Sequence, residues 1–182
     1  LAERIVRLAL ARGTPIFTPH ITLYTHPEGG DGAQQFWADL LARAAQGIGP
    51  IEAQVTGIGH SAERFRALFV EIAPAPAMLE LHERLRAAFH DPSDYVLEPH
   101  LSLLYERIPE PARLQLAAAT ARPLDFSCDM LAVVAPGPNG WDDVGGNVAA
   151  VVHHLSENAQ WSNGQVLVGT HPGSGRTVSF AD

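Results

Sequence analysis

The 182-residue sequence contains no lysine: its twelve basic side chains are all arginine, set against twenty Asp and Glu, for a formal net charge of −8. An acidic surface repels a polyphosphate backbone at long range, which argues against an extended nucleic-acid groove. A small phosphorylated ligand held by a few local donors is compatible with it. The single cysteine, Cys128, excludes an intramolecular disulfide and fits a reducing compartment. No apolar run approaches the ~20 residues of a bilayer-spanning helix. The first residues, Leu1 to Leu8, interleave Arg and Glu with aliphatics instead of forming the smooth apolar core of a signal peptide. These absences lead to the expectation of a cytoplasmic protein without membrane association. With 46% hydrophobic and 18% charged residues, the length suits one ordinary domain with a proper core, or one domain plus an extension.

What the sequence does have is a repeat. Phe17-Thr18-Pro19-His20-Ile21-Thr22-Leu23-Tyr24 returns eighty residues later as Leu97-Glu98-Pro99-His100-Leu101-Ser102-Leu103-Leu104. Both copies read apolar, any residue, Pro, His, aliphatic, hydroxyl, Leu, and a helix-like segment precedes each. Successive side chains of a strand point to opposite faces, so His20 and Thr22 share one face and Ile21 and Leu23 the other. The second copy sets His100 and Ser102 against Leu101 and Leu103 in the same way. A lone H-x-T on a strand is ordinarily just a polar-face residue. Duplication, with Pro before each His, is what makes this pair a candidate site. Two such strands face to face would present two imidazoles and two hydroxyls.

Along the chain, apolar spacing predicts a helix over residues 2–12 carrying Ile5, Val6, Leu8 and Leu10, stopped by Gly13. The first motif strand follows over 16–24, then a turn-rich loop from Thr25 to Gly32 and a helix over 33–46 through Phe36, Leu40, Leu41 and Ala44. Alternation predicts strands from Ile51 to Gly59 and from Arg66 to Ile72, joined by a hairpin turn at His60 to Phe65. A third helix is expected over 77–90, with Leu79, Leu81, Leu85 and Phe89 on its apolar stripe and His82 and His90 as surface or cap residues. The second motif strand spans 96–105, a fourth helix runs from Pro109 to about residue 121, and a core strand covers 124–135. The tail is expected to add a helix from Asn147 to Ala159 and an edge strand from Gly164 to Val168. His26 lacks the duplicated context and reads as a solvated loop residue. His153, His154 and His171 have no carboxylate or cysteine at ligand spacing, so no metal site is expected.

Through the duplicated Pro-His-aliphatic-hydroxyl-Leu pattern the chain resembles the two-histidine (2H) phosphoesterase superfamily, whose signature is a duplicated H-x-[T/S]-x. Within it, the likeness is to the cyclic phosphodiesterases of the plant and yeast type. It is carried by Pro99-His100-Leu101-Ser102-Leu103-Leu104-Tyr105, by Gly13-Thr14-Pro15-Ile16-Phe17, and by the hairpin and strand from Glu63 to Val70. Trp141 and Val144 resemble the family's W-x-x-V closing element. The likeness covers residues 1–145 and leaves 146–182 as a C-terminal extension of unassigned role. It implies an α+β fold of two pseudo-symmetric lobes of antiparallel sheet with outer helices and a central cleft. It also implies a strand ahead of the first helix that this sequence lacks, and no cofactor. Tyr105 and Phe65 are implied to line the site. In a regular strand Tyr105 would face away from Ser102 unless a bulge or strand end turns it. Phe65 would either stack on a base or ribose or pack as a lid on its own lobe.

Opening a cyclic phosphodiester with water needs a base for the water's proton, an acid for the departing oxygen, and donors for the nonbridging oxygens. Two imidazoles suit the first two tasks, since an ordinary pKa of ~6.5 lets one be neutral and the other charged. Thr22 and Ser102 can donate to the phosphoryl oxygens. The internal symmetry leaves the acid and base labels exchangeable; the resemblance implies His100 as base and His20 as acid. The expected activity is metal-independent hydrolysis of a small nucleotide, either a nucleoside 2′,3′-cyclic phosphate or ADP-ribose 1″,2″-cyclic phosphate. The alternatives are an enzyme acting on RNA ends, as the ligase-like branch does, and a nucleotide-binding module that keeps the cleft without turnover.

Overall fold

Helix α1 (Ala2–Arg12) buries Ile5 and Ala9 and ends at Gly13, whose left-handed φ of 65° lets its N–H cap the Ala9 carbonyl. After it come β1 (His20–Thr22), α2 (Gln34–Ala44), β2 (Ile51–Ala53), β3 (Val55–His60), a 3₁₀ turn at Arg64–Arg66, and β4 (Leu68–Ile72). Then follow α3 (Pro76–Ala88), β5 (His100–Leu104), α4 (Glu110–Ala119), β6 (Phe126–Cys128), β7 (Met130–Val133), β8 (Val151–His154) and β9 (Val166–Gly169). Prolines open two of the helices, where a missing N–H is harmless. The structure, a computed structural model, describes residues 1–25, 34–90, 96–133, 151–155 and 166–169. The loop holding His26, the turns expected at 91–94 and 136–140, Trp141, Val144 and His171 lie outside the described residues.

The architecture is α+β, as expected. A seven-stranded sheet runs β3-β4-β5-β1-β9-β7-β8, and a two-stranded sheet joins β2 to β6. The motif strands β1 and β5 are antiparallel neighbours in the larger sheet, with Ile21 across from Leu101. They therefore meet edge to edge rather than face to face. Ile21, Leu23, Leu101 and Leu103 are fully buried on one side of this pair. Each such aliphatic stabilises the fold by several kcal/mol, since Leu or Ile to Ala in a core costs about 2–5 kcal/mol. α1 packs against β5, and α4 against β3 and β4.

Several expectations change on contact with the fold. The strand predicted over Ile51 to Gly59 is two strands in different sheets, because Val55 N–H donates to the Asp125 carboxylate (2.8 Å) and Ala73 N–H to the Gln54 carbonyl (2.9 Å) at the break. The inside–outside alternation runs unbroken through Gln54, so the pattern alone cannot reveal it. Residues 124–135 divide likewise at Asp129, whose carbonyl accepts from Leu155 N–H at 2.8 Å.

On α3 the buried stripe is Met78, Leu81, His82 and Leu85, the i, i+3, i+4, i+7 spacing of a helix face, and Leu79 is exposed. His82 is thus a core residue and not a surface one: it is 2% exposed, and its Nδ1 donates to the Leu23 carbonyl at 2.7 Å. Phe36 and Leu10 are exposed on their helices.

The expected tail helix is instead strand β8, paired antiparallel to β7 from Met130↔His154 to Val133↔Val151. A short apolar run is ambiguous between helix and strand, and the β-branched Val151-Val152 favours the latter. β9 is not an edge strand. It lies between β1 and β7 and runs parallel to both.

Candidate active site

The Ile21–Leu101 pairing sets His20 across from Ser102 and Thr22 across from His100. All four side chains project from the face opposite the buried aliphatics. The imidazoles are diagonal neighbours on paired strands, a relation that separates Cα atoms by ~7–8 Å.

The proline in each motif has a structural purpose. Pro keeps the preceding residue extended, and in both copies the carbonyl of that residue meets the ring two positions on. His20 Nδ1 stands 2.7 Å from the Thr18 carbonyl and His100 Nδ1 2.9 Å from the Glu98 carbonyl. A carbonyl only accepts, so each Nδ1 carries a hydrogen and each Nε2 keeps the lone pair of the neutral ring. Both rings are thereby fixed in orientation and tautomer by their own segment.

His20 is 5% exposed. Its Nε2 faces the Tyr105 hydroxyl at 3.3 Å, with the hydroxyl as donor. β5 ends at Leu104, so Tyr105 escapes the strand's alternation and its hydroxyl reaches His20. Tyr105 stacks on Phe17 at 3.8 Å, and Phe65 stands edge-on to it at 5.2 Å. Phe65, 38% exposed, therefore caps the aromatic group behind His20.

Ser102 is buried, and its hydroxyl donates to the Phe65 carbonyl at 2.7 Å. Glu106 N–H donates to the Arg64 carbonyl at 2.9 Å. Together these bonds fasten the 3₁₀ turn across the end of β5. A hydroxyl has one proton, so Ser102 can donate to a phosphoryl oxygen only by releasing Phe65. Thr22 is half-buried on the same face.

Burial dominates the electrostatics. It pulls His20 down to about 4, outweighing the Thr18 carbonyl that favours the charged ring, while nearby His100 lowers it further. His100 is also lowered, first by burial; the Glu98 carbonyl opposes this, and Arg66 adds to it against the attraction of Glu98 and Glu63. Burial raises Tyr105, keeping its hydroxyl protonated.

The sequence reading missed the surroundings of His100. The edge of the Phe69 ring meets His100 at 5.5 Å, and Arg66 lies over Phe69 at 4.5 Å while pairing with Glu98 at 2.9 Å. Glu71 stands directly across the ladder from His100. Phe69 and Glu71 alternate with buried Val70 and Ile72, a signal that becomes legible only once β4 is paired with the second motif. Among the described residues no three His, Cys, Asp or Glu side chains gather where a metal could be held. His153 and His154 fall within β8, but their side chains lie outside the described residues.

Two anchored imidazoles, each two residues from a hydroxyl, on paired strands of an α+β fold define a two-histidine phosphoesterase. The family model of the 2'-5' RNA ligase superfamily matches residues 7–138, both motifs included, and the chain belongs to that superfamily. Phosphodiesterases and ligases both fall within it, so the chemistry is that of phosphoesters. No curated protein matches the chain. Among the described residues no helix is long and apolar enough to cross a membrane.

Proposed function

We propose that the protein hydrolyses a cyclic phosphodiester of a small nucleotide to the phosphomonoester, without a metal, using His20 and His100 as paired base and acid. The observation that carries the proposal is the matched anchoring of both rings by Nδ1, which turns both Nε2 atoms to one sheet face. Water attacks phosphorus as one Nε2 takes its proton. The phosphorus–oxygen bond to the 2′ or 3′ oxygen breaks, and the other Nε2–H protonates that oxygen. Thr22 donates to the nonbridging oxygens, joined by Ser102 once it leaves Phe65 and by Tyr105, whose hydroxyl must release the one lone pair of His20 Nε2 before that ring can take the proton.

The more deeply buried His20 is the harder ring to charge, which favours it as base and His100 as acid, the reverse of the assignment that the resemblance implies. The acidic balance of −8 supports a small nucleotide over a long RNA.

The test is release of monoester from 2′,3′-cyclic nucleotides and ADP-ribose 1″,2″-cyclic phosphate in EDTA by wild type, His20→Ala and His100→Ala. General acid–base catalysis contributes ~10²–10⁴-fold per group, so each variant should lose at least that factor. Turnover unchanged in either variant would sink the proposal. Activity on RNA ends alone would move the assignment to the ligase-like branch, and tight nucleotide binding without turnover to a binding module.

A further inference from the structure

On the outer side of His100 the active face continues into a cleft of about 340 Å³, walled by Arg66, Phe69, Glu71, Pro74, Glu98 and Pro99. That volume falls in the ~300–1,000 Å³ range of small-molecule sites. Its floor is level because of two residues one strand further out. Gly57 and Gly59 of β3 stand across from Glu71 and Phe69. A Cβ at position 57 would come within 2.4 Å of Glu71 Oε2, and one at position 59 within 2.4 Å of the Phe69 ring. The glycines let the carboxylate and the ring lie down across the β3 backbone. A side chain at either position would force them up into the cleft.

The Glu71 backbone pairs with His100 across the β4–β5 ladder, and its carboxylate extends the other way, over β3, about two strand spacings of ~4.8 Å from the His100 strand. A ribose whose cyclic phosphate sits between the imidazoles carries its base toward this carboxylate when it points outward past His100. Arg66 is committed to Glu98 at 2.9 Å and to the Phe69 face at 4.5 Å. With that pair offset, Glu71 leaves the cleft acidic. It disfavours a second phosphate and favours a neutral group rich in hydrogen-bond donors. A carboxylate only accepts: guanine offers it N1–H and N2–H₂ side by side, adenine and cytosine one amino group each, and uracil a single N–H between two repelled carbonyls.

We infer that this cleft is the base subsite and that Glu71, level on its glycine floor over β3, makes it select a donor-bearing base, guanine foremost, and reject uracil. The inference rests on the proposed hydrolysis of a nucleoside cyclic phosphate.

The experiment compares kcat/KM for the four nucleoside 2′,3′-cyclic phosphates in wild type and Glu71→Gln, beside calorimetric binding of guanosine and uridine 3′-monophosphate to both. Glu71 is exposed, so its substitution leaves the core intact. Wild type should prefer guanosine to uridine by roughly ten- to a hundredfold, and Glu71→Gln, whose amide donates as well as accepts, should collapse the ratio. Equal rates on all four bases, or a ratio unchanged in Glu71→Gln, overturn the subsite while leaving hydrolysis standing. If no cyclic nucleotide is turned over, guanosine-selective binding that Glu71→Gln abolishes upholds the subsite and removes the reaction. Unselective or absent binding removes both.

Discussion

The depressed pKa of His20 predicts an acid-side loss of stability that one substitution should isolate. In the unfolded chain a histidine titrates near ~6.5, whereas burial holds His20 at about 4 in the fold. Above the unfolded value both states are neutral and the group contributes no pH dependence. As pH falls below it, the unfolded chain takes up a proton that the folded protein refuses, and stability drains until the folded pKa is reached. For a shift of this size, linkage gives roughly 2–3 kcal/mol lost between pH 8 and pH 4.5. At ordinary m-values of ~2–3 kcal/mol/M that is about 1 M in urea midpoint. The perturbation is His20→Gln, and the assay is urea unfolding followed by tryptophan fluorescence at half-unit steps across that range. His100 and every other group titrate in both proteins, so the informative quantity is the difference in slope. Wild type should lose stability more steeply than His20→Gln by about this amount. Parallel curves would mean that His20 is hydrated or charged in the fold, and would refute the account of a desolvated neutral base.

Catalysis should show the same ordering. If His20 must be neutral and His100 charged, the productive pair exists between two values that both lie below the ordinary ~6.5, so kcat/KM should peak on the acid side of that value. A maximum at pH 7 or above would reject the proposed roles. Tyr105→Phe removes the hydroxyl that donates to His20 Nε2. Losing one neutral hydrogen bond costs about 1 kcal/mol, or ~5-fold in kcat, with the fold preserved; steady-state kinetics beside a melting curve would check both parts. Ser102→Ala unfastens the turn from β5. It should raise amide exchange at Arg64 to Arg66 and lower stability by about 1 kcal/mol, whereas unchanged exchange would mean that the turn is held by other contacts.

What the sequence could and could not disclose follows from the range over which each feature is determined. The repeat disclosed the candidate site because Pro-His-aliphatic-hydroxyl-Leu is a local pattern with local consequences. The four helices ahead of the tail were legible in position and less so in facing: Leu79 and His82 exchanged places on α3, because only packing against the Leu23 carbonyl makes a histidine preferable to a leucine there. The expected tail helix was not a helix at Val151–His154. Strand breaks at Gln54 and Asp129 were invisible, since a change of sheet need not interrupt alternation. The direction of Tyr105 depended on where β5 ends, and the commitment of Ser102 on a turn thirty-seven residues earlier. Phe69, Glu71 and the glycines beneath them are ordinary strand residues until their ladder partners are known.

The two imidazoles are each held by a carbonyl two residues back in the same segment, and this makes every half-site a portable cassette. A ring oriented by its own neighbours does not depend on a distant scaffold for its aim, so the long-range fold has a single remaining duty: to bring Ile21 opposite Leu101. A slip of one residue in that pairing would leave both cassettes intact and turn one of them to the wrong side of the sheet. Loops, helices and tail can diverge widely around such an arrangement, provided this one rung of the ladder stays in step.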